Sequence, residues 1–149
     1  MLLISVIANV DLYRKQNPNK TTPAEANGTY ELLISNLNGV NLALNSYLTA
    51  GNSADKTLAM FQLIRQTDRA YMDVYDLNRQ LADVYEGDLY RLEEVVFSLT
   101  LDAIDIAEQS RENDVTLQVR RVQTQVQSLL DSLNHTTLAY RMKHAAPRR

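Results

Sequence analysis

The fold class is decided by residues 60–85, MFQLIRQTDRAYMDVYDLNRQLADVY, where apolar side chains recur at alternating steps of four and three residues. The series consists of Met60, Ile64, Thr67, Tyr71, Val74, Asn78, Leu81 and Tyr85, and a companion series of Leu63, Ala70, Leu77 and Val84 widens the same face. A repeat of 3.5 residues keeps one face of an α-helix turned toward partner helices. This stretch therefore predicts a long amphipathic helix.

Three further stretches repeat the pattern. Their apolar series are Tyr30, Leu33, Leu37, Val40, Leu44 and Tyr47; Leu89, Leu92, Val96, Leu99, Ala103 and Ile106; and Val115, Val119, Val122, Val126, Leu129, Leu133, Thr136 and Tyr140. The helices are expected at about 25–50, 54–86, 88–112 and 114–143, with short connections. Similar lengths and short connections favour an all-α fold, namely an antiparallel four-helix bundle with coiled-coil-like heptad seams.

Two breaks in the pattern define the predicted helix ends. Asn52 or Ser53 can cap the second helix, and Asp55 suits the positive end of that helix. Gly87 is predicted to lie in a tight turn. Because the heptad phase slips there by only one residue, a single long helix over 54–112 is the alternative.

The chain divides into four predicted segments. These are a short apolar N-terminal docking arm at 1–16, a linker at 17–28 that contains Pro18 and Pro23, the helical bundle at 29–143 and a basic tail at 144–149. The apolar run at the start is too short to span a bilayer, which needs roughly 20 residues. It is interpreted as an arm that docks on the bundle or on a neighbour, and the alternative is a truncated membrane helix.

The composition argues against several kinds of chemistry. The chain has no Cys, so disulfides, thiolate metal sites and cysteine nucleophiles are excluded. Its two histidines, His135 and His144, would point in opposite directions from one helix. Neither a Glu-x-x-His motif nor a glycine-rich phosphate loop occurs. We therefore expect a protein that is not an enzyme and that holds no cofactor or metal.

Charge is distributed unevenly along the chain. Residues 83–114 carry ten acids and two bases, net −8, whereas 115–149 carry six bases and one acid, net +5. Consecutive segments of opposite sign are expected to face each other or to meet across a subunit boundary. The isoelectric point near 5.3 gives no strong nucleic-acid signal. Without a recognisable signal peptide or disulfides, the cytoplasm or the interior of a particle is the expected location.

Two groups of residues are candidates for binding. The candidate interface residues are Leu3, Val6, Ile7, Val10, Tyr13, Tyr71, Tyr75, Asn78, Arg120 and Arg121. A candidate ligand pocket is formed by Asn38, Asn41 and Asn45, whose spacing of three and four residues places them on one side of the first helix. Asparagine is a mediocre helix former, so three on one side of a helix call for an explanation.

These features favour a helical assembly or scaffold subunit that packs against copies of itself or against other protein subunits in an oligomer or larger complex, such as a structural particle. The alternative comes from residues 44–55, LNSYLTAGNSAD. This stretch resembles a helix–turn segment in the extracytoplasmic bundles of bacterial chemoreceptors and sensor kinases. The resemblance covers about a dozen residues and implies a ligand-sensing four-helix-bundle domain.

Overall fold

Four α-helices form most of the described chain. The computed structural model describes residues 23–81, 85–86, 88–135 and 146–147. The helices are α1 (Pro23–Thr49), α2 (Ser53–Leu81), α3 (Asp88–Gln109) and α4 (Thr116–His135). A two-residue strand, β1 (Tyr85–Glu86), pairs antiparallel with β2 (Ala146–Pro147), and Tyr85 lies opposite Pro147. The prediction of an all-α helical bundle is confirmed.

Helix α1 packs antiparallel to α4 through a tyrosine near each of its ends. The Tyr30 hydroxyl donates to the carbonyl oxygen of Leu133 at 3.1 Å, and the Tyr47 hydroxyl accepts from the backbone N–H of Val115 at 3.4 Å. Both rings lie in the core, where a tyrosine hydroxyl needs a hydrogen-bond partner. The two bonds fix the register of α1 against α4 over their shared length.

Helix α1 also packs antiparallel to α2, and the two backbones approach closely. A Cβ at Gly39 would lie 2.8 Å from the Gln66 side chain, so glycine makes room for it. Further along, the Asn36 side-chain amide donates to the Asp73 carboxylate at 2.5 Å. Burial raises the pKa of Asp73 above its ordinary 3.8, the bond from Asn36 lowers it in part, and Asp76 raises it further. The seam between α1 and α2 thus contains a half-buried polar pair.

Helices α2 and α3 form an antiparallel hairpin. The Thr100 hydroxyl contacts the Thr67 carbonyl oxygen at 3.5 Å, and the rings of Tyr71 and Phe97 lie 5.4 Å apart. The chain therefore reverses direction between Leu81 and Asp88. The alternative of one continuous helix over 54–112 is wrong.

The helix ends differ from the predicted ones in three places. Helix α1 begins at Pro23, inside the predicted linker, because proline is compatible with the first turn of a helix. Helix α2 ends at Leu81 rather than 86, since Tyr85 and Glu86 pair with β2 instead of continuing the helix. Helix α3 ends at Gln109 and is followed by a turn. The predicted arm at 1–16, residues 136–143 of the fourth predicted helix and most of the basic tail lie outside the described residues.

Side chains at the starts of two helices satisfy free backbone N–H groups. The Asn52 side-chain oxygen accepts from the N–H of Asp55 at 2.8 Å, and the Asn52 amide donates to the Asp55 carboxylate at 2.8 Å. Of the two predicted caps of α2, Asn52 and Ser53, Asn52 is therefore the one that makes the capping bond. Before α4, Asp114 accepts from the hydroxyl and the N–H of Thr116, and these bonds lower the pKa of Asp114.

The core consists largely of the predicted apolar series. All six residues of the α1 series are buried, as are Leu92, Val96, Leu99, Ala103 and Ile106 on α3 and Val115, Val119, Val122, Val126 and Leu133 on α4. One position is shifted: Leu130 is buried and Leu129 only partly so, because a straight helix has 3.6 residues per turn and drifts away from a strict 3.5 repeat.

Two neighbouring leucines on α1 provide a test of this core. Leu33 is fully buried, whereas Leu32 is 57% exposed. We expect Leu33→Ala to lower the free energy of unfolding by about 2–5 kcal/mol through lost burial and a residual cavity. Leu32→Ala is expected to change it by less than about 0.5 kcal/mol. Urea unfolding followed by circular dichroism measures both, and similar losses for the two variants would contradict the orientation of α1.

Candidate functional site

The candidate site depends on which side of α2 faces the core. Leu63, Ala70 and Leu77 of the companion series are fully buried. Their burial turns Ile64 and Tyr71 of the first series to the edge of the core, where both are only half-buried beside α3. The apolar surface of α2 is therefore wider than the core can cover.

The uncovered surface continues from α2 onto α3. The Tyr71 ring lies 6.3 Å from the Tyr75 ring and 5.4 Å from the Phe97 ring. We call the α2–α3 face the outer surface formed by six exposed side chains together with half-buried Ile64 and Tyr71 between them. The six are Phe61, Met72 and Tyr75 from α2, and Phe97, Leu101 and Ile104 from α3.

The α2–α3 face contains a cleft near each of its ends. The larger has a volume of about 220 Å³ and is lined by apolar side chains from both helices, with Glu108 and Arg111 at its margin. The smaller, about 170 Å³, is lined by Tyr71 of α2 and by Glu93, Glu94 and Phe97 of α3. Such depressions between ridges of apolar side chains suit the side chains of another helix.

The α2–α3 face is large for a single chain. Phe61 alone is 68% exposed. The exposed fractions of the six side chains, applied to surfaces of about 200 Å² each, give about 600 Å² of apolar area. Apolar patches on monomers rarely exceed roughly 300–600 Å², and those at the upper limit are often functional.

The predicted interface residues have three different environments. Tyr71 and Tyr75 lie on the α2–α3 face. Asn78 is half-buried and donates to the Glu93 carboxylate, so it joins α2 to α3 within one chain. Arg120 and Arg121 are exposed on α4. The other five, Leu3, Val6, Ile7, Val10 and Tyr13, lie outside the described residues.

Acidic and basic segments meet at the edge between α3 and α4. Asp102 and Asp105 of α3 line a cleft of about 140 Å³ together with Arg121 of α4. The predicted opposition of charge is thus present in this cleft. Of the neighbouring helix pairs in the described bundle, α3 and α4 approach each other least closely.

Sequence reasoning missed five exposed residues of the α2–α3 face, namely Phe61, Met72, Phe97, Leu101 and Ile104. The signal was present: Phe97, Leu101 and Ile104 follow steps of four and three beside the buried series of α3. Two parallel apolar series on one helix indicate a second apolar surface.

The three asparagines of the candidate pocket are not equivalent. Asn38 is exposed and donates to the carbonyl oxygen of Ile34, and Asn45 is exposed. Asn41 is half-buried, and its side-chain oxygen is shielded from solvent with no hydrogen-bond partner in the described structure. It occupies the middle of the heptad series Ile34, Asn41 and Leu48, whose outer members pack against the core. Asn41 is therefore the one unsatisfied member of the group.

The fold and the α2–α3 face define a class, an antiparallel four-helix bundle with an exposed apolar face. Comparison with protein-family models, curated proteins and solved structures gives no match to this chain. Among the described residues, no cluster of His, Asp or Glu could hold a metal ion, and no helix is long and apolar enough to cross a membrane. The α2–α3 face is therefore the main guide to function.

Asn41 provides a second test, with Asn45 as its control. Replacing Asn41 by Leu removes a buried acceptor without a partner and adds apolar packing. We expect Asn41→Leu to raise the free energy of unfolding by about 1–2 kcal/mol more than Asn45→Leu does. The two substitutions carry the same change in helix propensity, so urea unfolding of both isolates the effect of burial. Equal effects would contradict the buried position of Asn41.

Proposed function

We propose that this chain is a non-enzymatic helical assembly subunit that packs against protein subunits, copies of itself among them, through the α2–α3 face. The observation that carries the proposal is the apolar area of this face, about 600 Å² by the estimate above. Leaving this area in water is unfavourable, at roughly 25 cal/mol per Å². A partner subunit that covers this area gains part of that free energy, after the entropy cost of association is subtracted.

The composition of the face supports protein–protein contact. Three of its six exposed side chains are aromatic, namely Phe61, Tyr75 and Phe97. Aromatic residues are enriched in the cores of interfaces, where they supply large contact areas at a small cost in side-chain entropy. The face also contains one charge: the exposed Asp68 lies seven residues from both Phe61 and Tyr75, on the same side of α2, so a partner must hydrogen-bond its carboxylate or leave it hydrated.

The proposal predicts a mass larger than that of one chain. Light scattering coupled to size exclusion, run on the full chain at several concentrations, is expected to show a mass that rises with concentration. Phe61→Lys and Phe97→Lys place a charge in the interface and are expected to lower the mass toward that of a monomer. Circular dichroism checks that both variants stay folded, as exposed positions should allow.

Leu117 is the matched control for these two variants. It is 81% exposed but lies on α4, outside the α2–α3 face. Leu117→Lys adds the same charge and is expected to leave the mass unchanged. A monomer at every concentration, or equal losses for Leu117→Lys and Phe61→Lys, would contradict the proposal.

A ligand-sensing domain of a bacterial chemoreceptor or sensor kinase is the second candidate function. The specific observation in its favour is the buried, unpartnered oxygen of Asn41. This oxygen could accept a hydrogen bond from an ammonium or amide group of a small ligand. Asn45 lies one helical turn further along the same side of α1.

This second candidate predicts a ligand-dependent gain in stability. In thermal unfolding with a panel of amino acids and small dicarboxylates, a true ligand should stabilise the chain by RT ln(1 + [L]/Kd), or about 2.7 kcal/mol at a hundred times Kd. The double substitution of Asn41 and Asn45 by Ala should abolish the gain. Stabilisation that persists in the double variant, or none with any of these compounds, would contradict the sensing function.

A further inference from the structure

We infer that two copies of this chain pair with two-fold symmetry through the α2–α3 face, so that α2 of each copy lies against α3 of its partner. The pairing rests on the proposed assembly function and specifies its first step. The inference identifies the partner of the exposed face as a second copy of the chain. It also specifies how the two copies are oriented.

The shape of the face calls for a pair of helices as its occupant. The exposed side chains extend along α2 from Phe61 to Tyr75, about 21 Å at 1.5 Å per residue. They continue across the groove onto α3, from Phe97 to Ile104. A single helix would fill the groove and leave the outer side chains of one wall in water. An antiparallel pair covers both walls, and the chain itself presents such a pair.

The area of the face suits a symmetric dimer. Two faces of about 600 Å² each would bury about 1,200 Å² of apolar surface, before the polar rim is counted. Stable interfaces bury about 1,200–2,000 Å² in total. A self-complementary interface uses the same patch twice, so no second surface of this size is needed on the chain.

The two rims of the face differ in charge. The α2 rim carries the exposed Arg65 and Arg69, whereas the exposed Asp68 lies within the face, beside Phe61 and Met72.

The α3 rim carries the exposed acids Glu94, Asp105 and Glu108. Of these, Asp105 also accepts from the Gln109 side-chain amide at 2.9 Å and lines the cleft between α3 and α4 together with Arg121. When Asp68 is counted with α2, and Arg111, which lines the larger cleft together with Glu108, is counted with α3, the net charge is +1 on the α2 side of the face and −2 on the α3 side.

This asymmetry decides between two orientations of the two-fold axis. The two-fold axis must lie in the plane of the interface. If it runs perpendicular to the helices, α3 lies against the partner's α3, and the three acids of one rim face the same three acids. An axis parallel to the helices places α2 against the partner's α3, so that the basic rim faces the acidic one. Facing like charges are costly and facing opposite charges are favourable, so the parallel axis is selected.

The same orientation aligns one charge pair. Within a chain, Thr67 lies level with Thr100, and Tyr71 lies level with Phe97. An axis parallel to the helices preserves these levels in the dimer. Arg65 then lies within about one helical turn of the partner's Asp105. Symmetry repeats this pair, so each dimer contains it twice.

Charge reversal of the pair tests the inference on the full chain. Arg65→Glu places two acids together, and Asp105→Arg places two bases together. Each variant alone is expected to weaken the dimer about tenfold or more in Kd, as measured by sedimentation or light scattering. A one-to-one mixture of the two variants is expected to restore dimerisation close to that of the original chain, because both contacts of the mixed dimer join opposite charges.

Arg120→Glu is the control for Arg65→Glu. Arg120 is exposed on α4, so this substitution makes the same change of charge outside the face. A dimer that dissociates in Phe61→Lys but is not restored in the mixed Arg65→Glu and Asp105→Arg sample would overturn the pairing and leave the assembly function standing. Equal weakening by Arg120→Glu would also overturn the pairing. An original chain that stays monomeric would overturn the pairing and the assembly function together.

Discussion

Burial of two adjacent apolar series on α2 is the constraint on which most of this structure depends. The series of Leu63, Ala70 and Leu77 and the buried members of the first series, such as Val74 and Leu81, cannot both face the core unless α2 adopts one rotation about its axis. That rotation brings Ile64 and Tyr71 to the groove beside α3. The hairpin of α2 and α3 therefore joins the core on its inner side and exposes aromatic side chains on its outer side.

Helix α1 is the neighbour of both α2 and α4, and its contacts with them differ in kind. Toward α2, Gly39 lets the backbones approach and Asn36 and Asp73 form a half-buried hydrogen bond. Toward α4, two buried tyrosine hydroxyls reach backbone groups. These polar contacts are directional, so they fix the register of the helices, while the apolar core supplies most of the favourable free energy.

Much of the fold could be predicted because the buried residues follow a period that the sequence displays directly. The α1 series from Tyr30 to Tyr47 is buried throughout, and Asn52 caps α2 as its spacing to Asp55 indicates. Tyr85 was misplaced because strand pairing with residues more than sixty positions later overrides a local pattern. Phe97 belongs to a second apolar series that is visible in the sequence, but which of the two series on α3 faces the core depends on the orientation of that helix in the bundle.

The tyrosine contacts between α1 and α4 have a consequence for how the chain folds. The α1–α2 and α2–α3 hairpins form between consecutive segments, whereas Tyr30 and Leu133 lie 103 positions apart along the chain. Closing so long a loop costs more conformational entropy than closing either hairpin, so we expect α4 to dock onto α1 late in the folding reaction. Interactions that form late act mainly on the rate of unfolding. The Tyr30 hydroxyl therefore contributes to the lifetime of the folded bundle more than to the speed at which it forms.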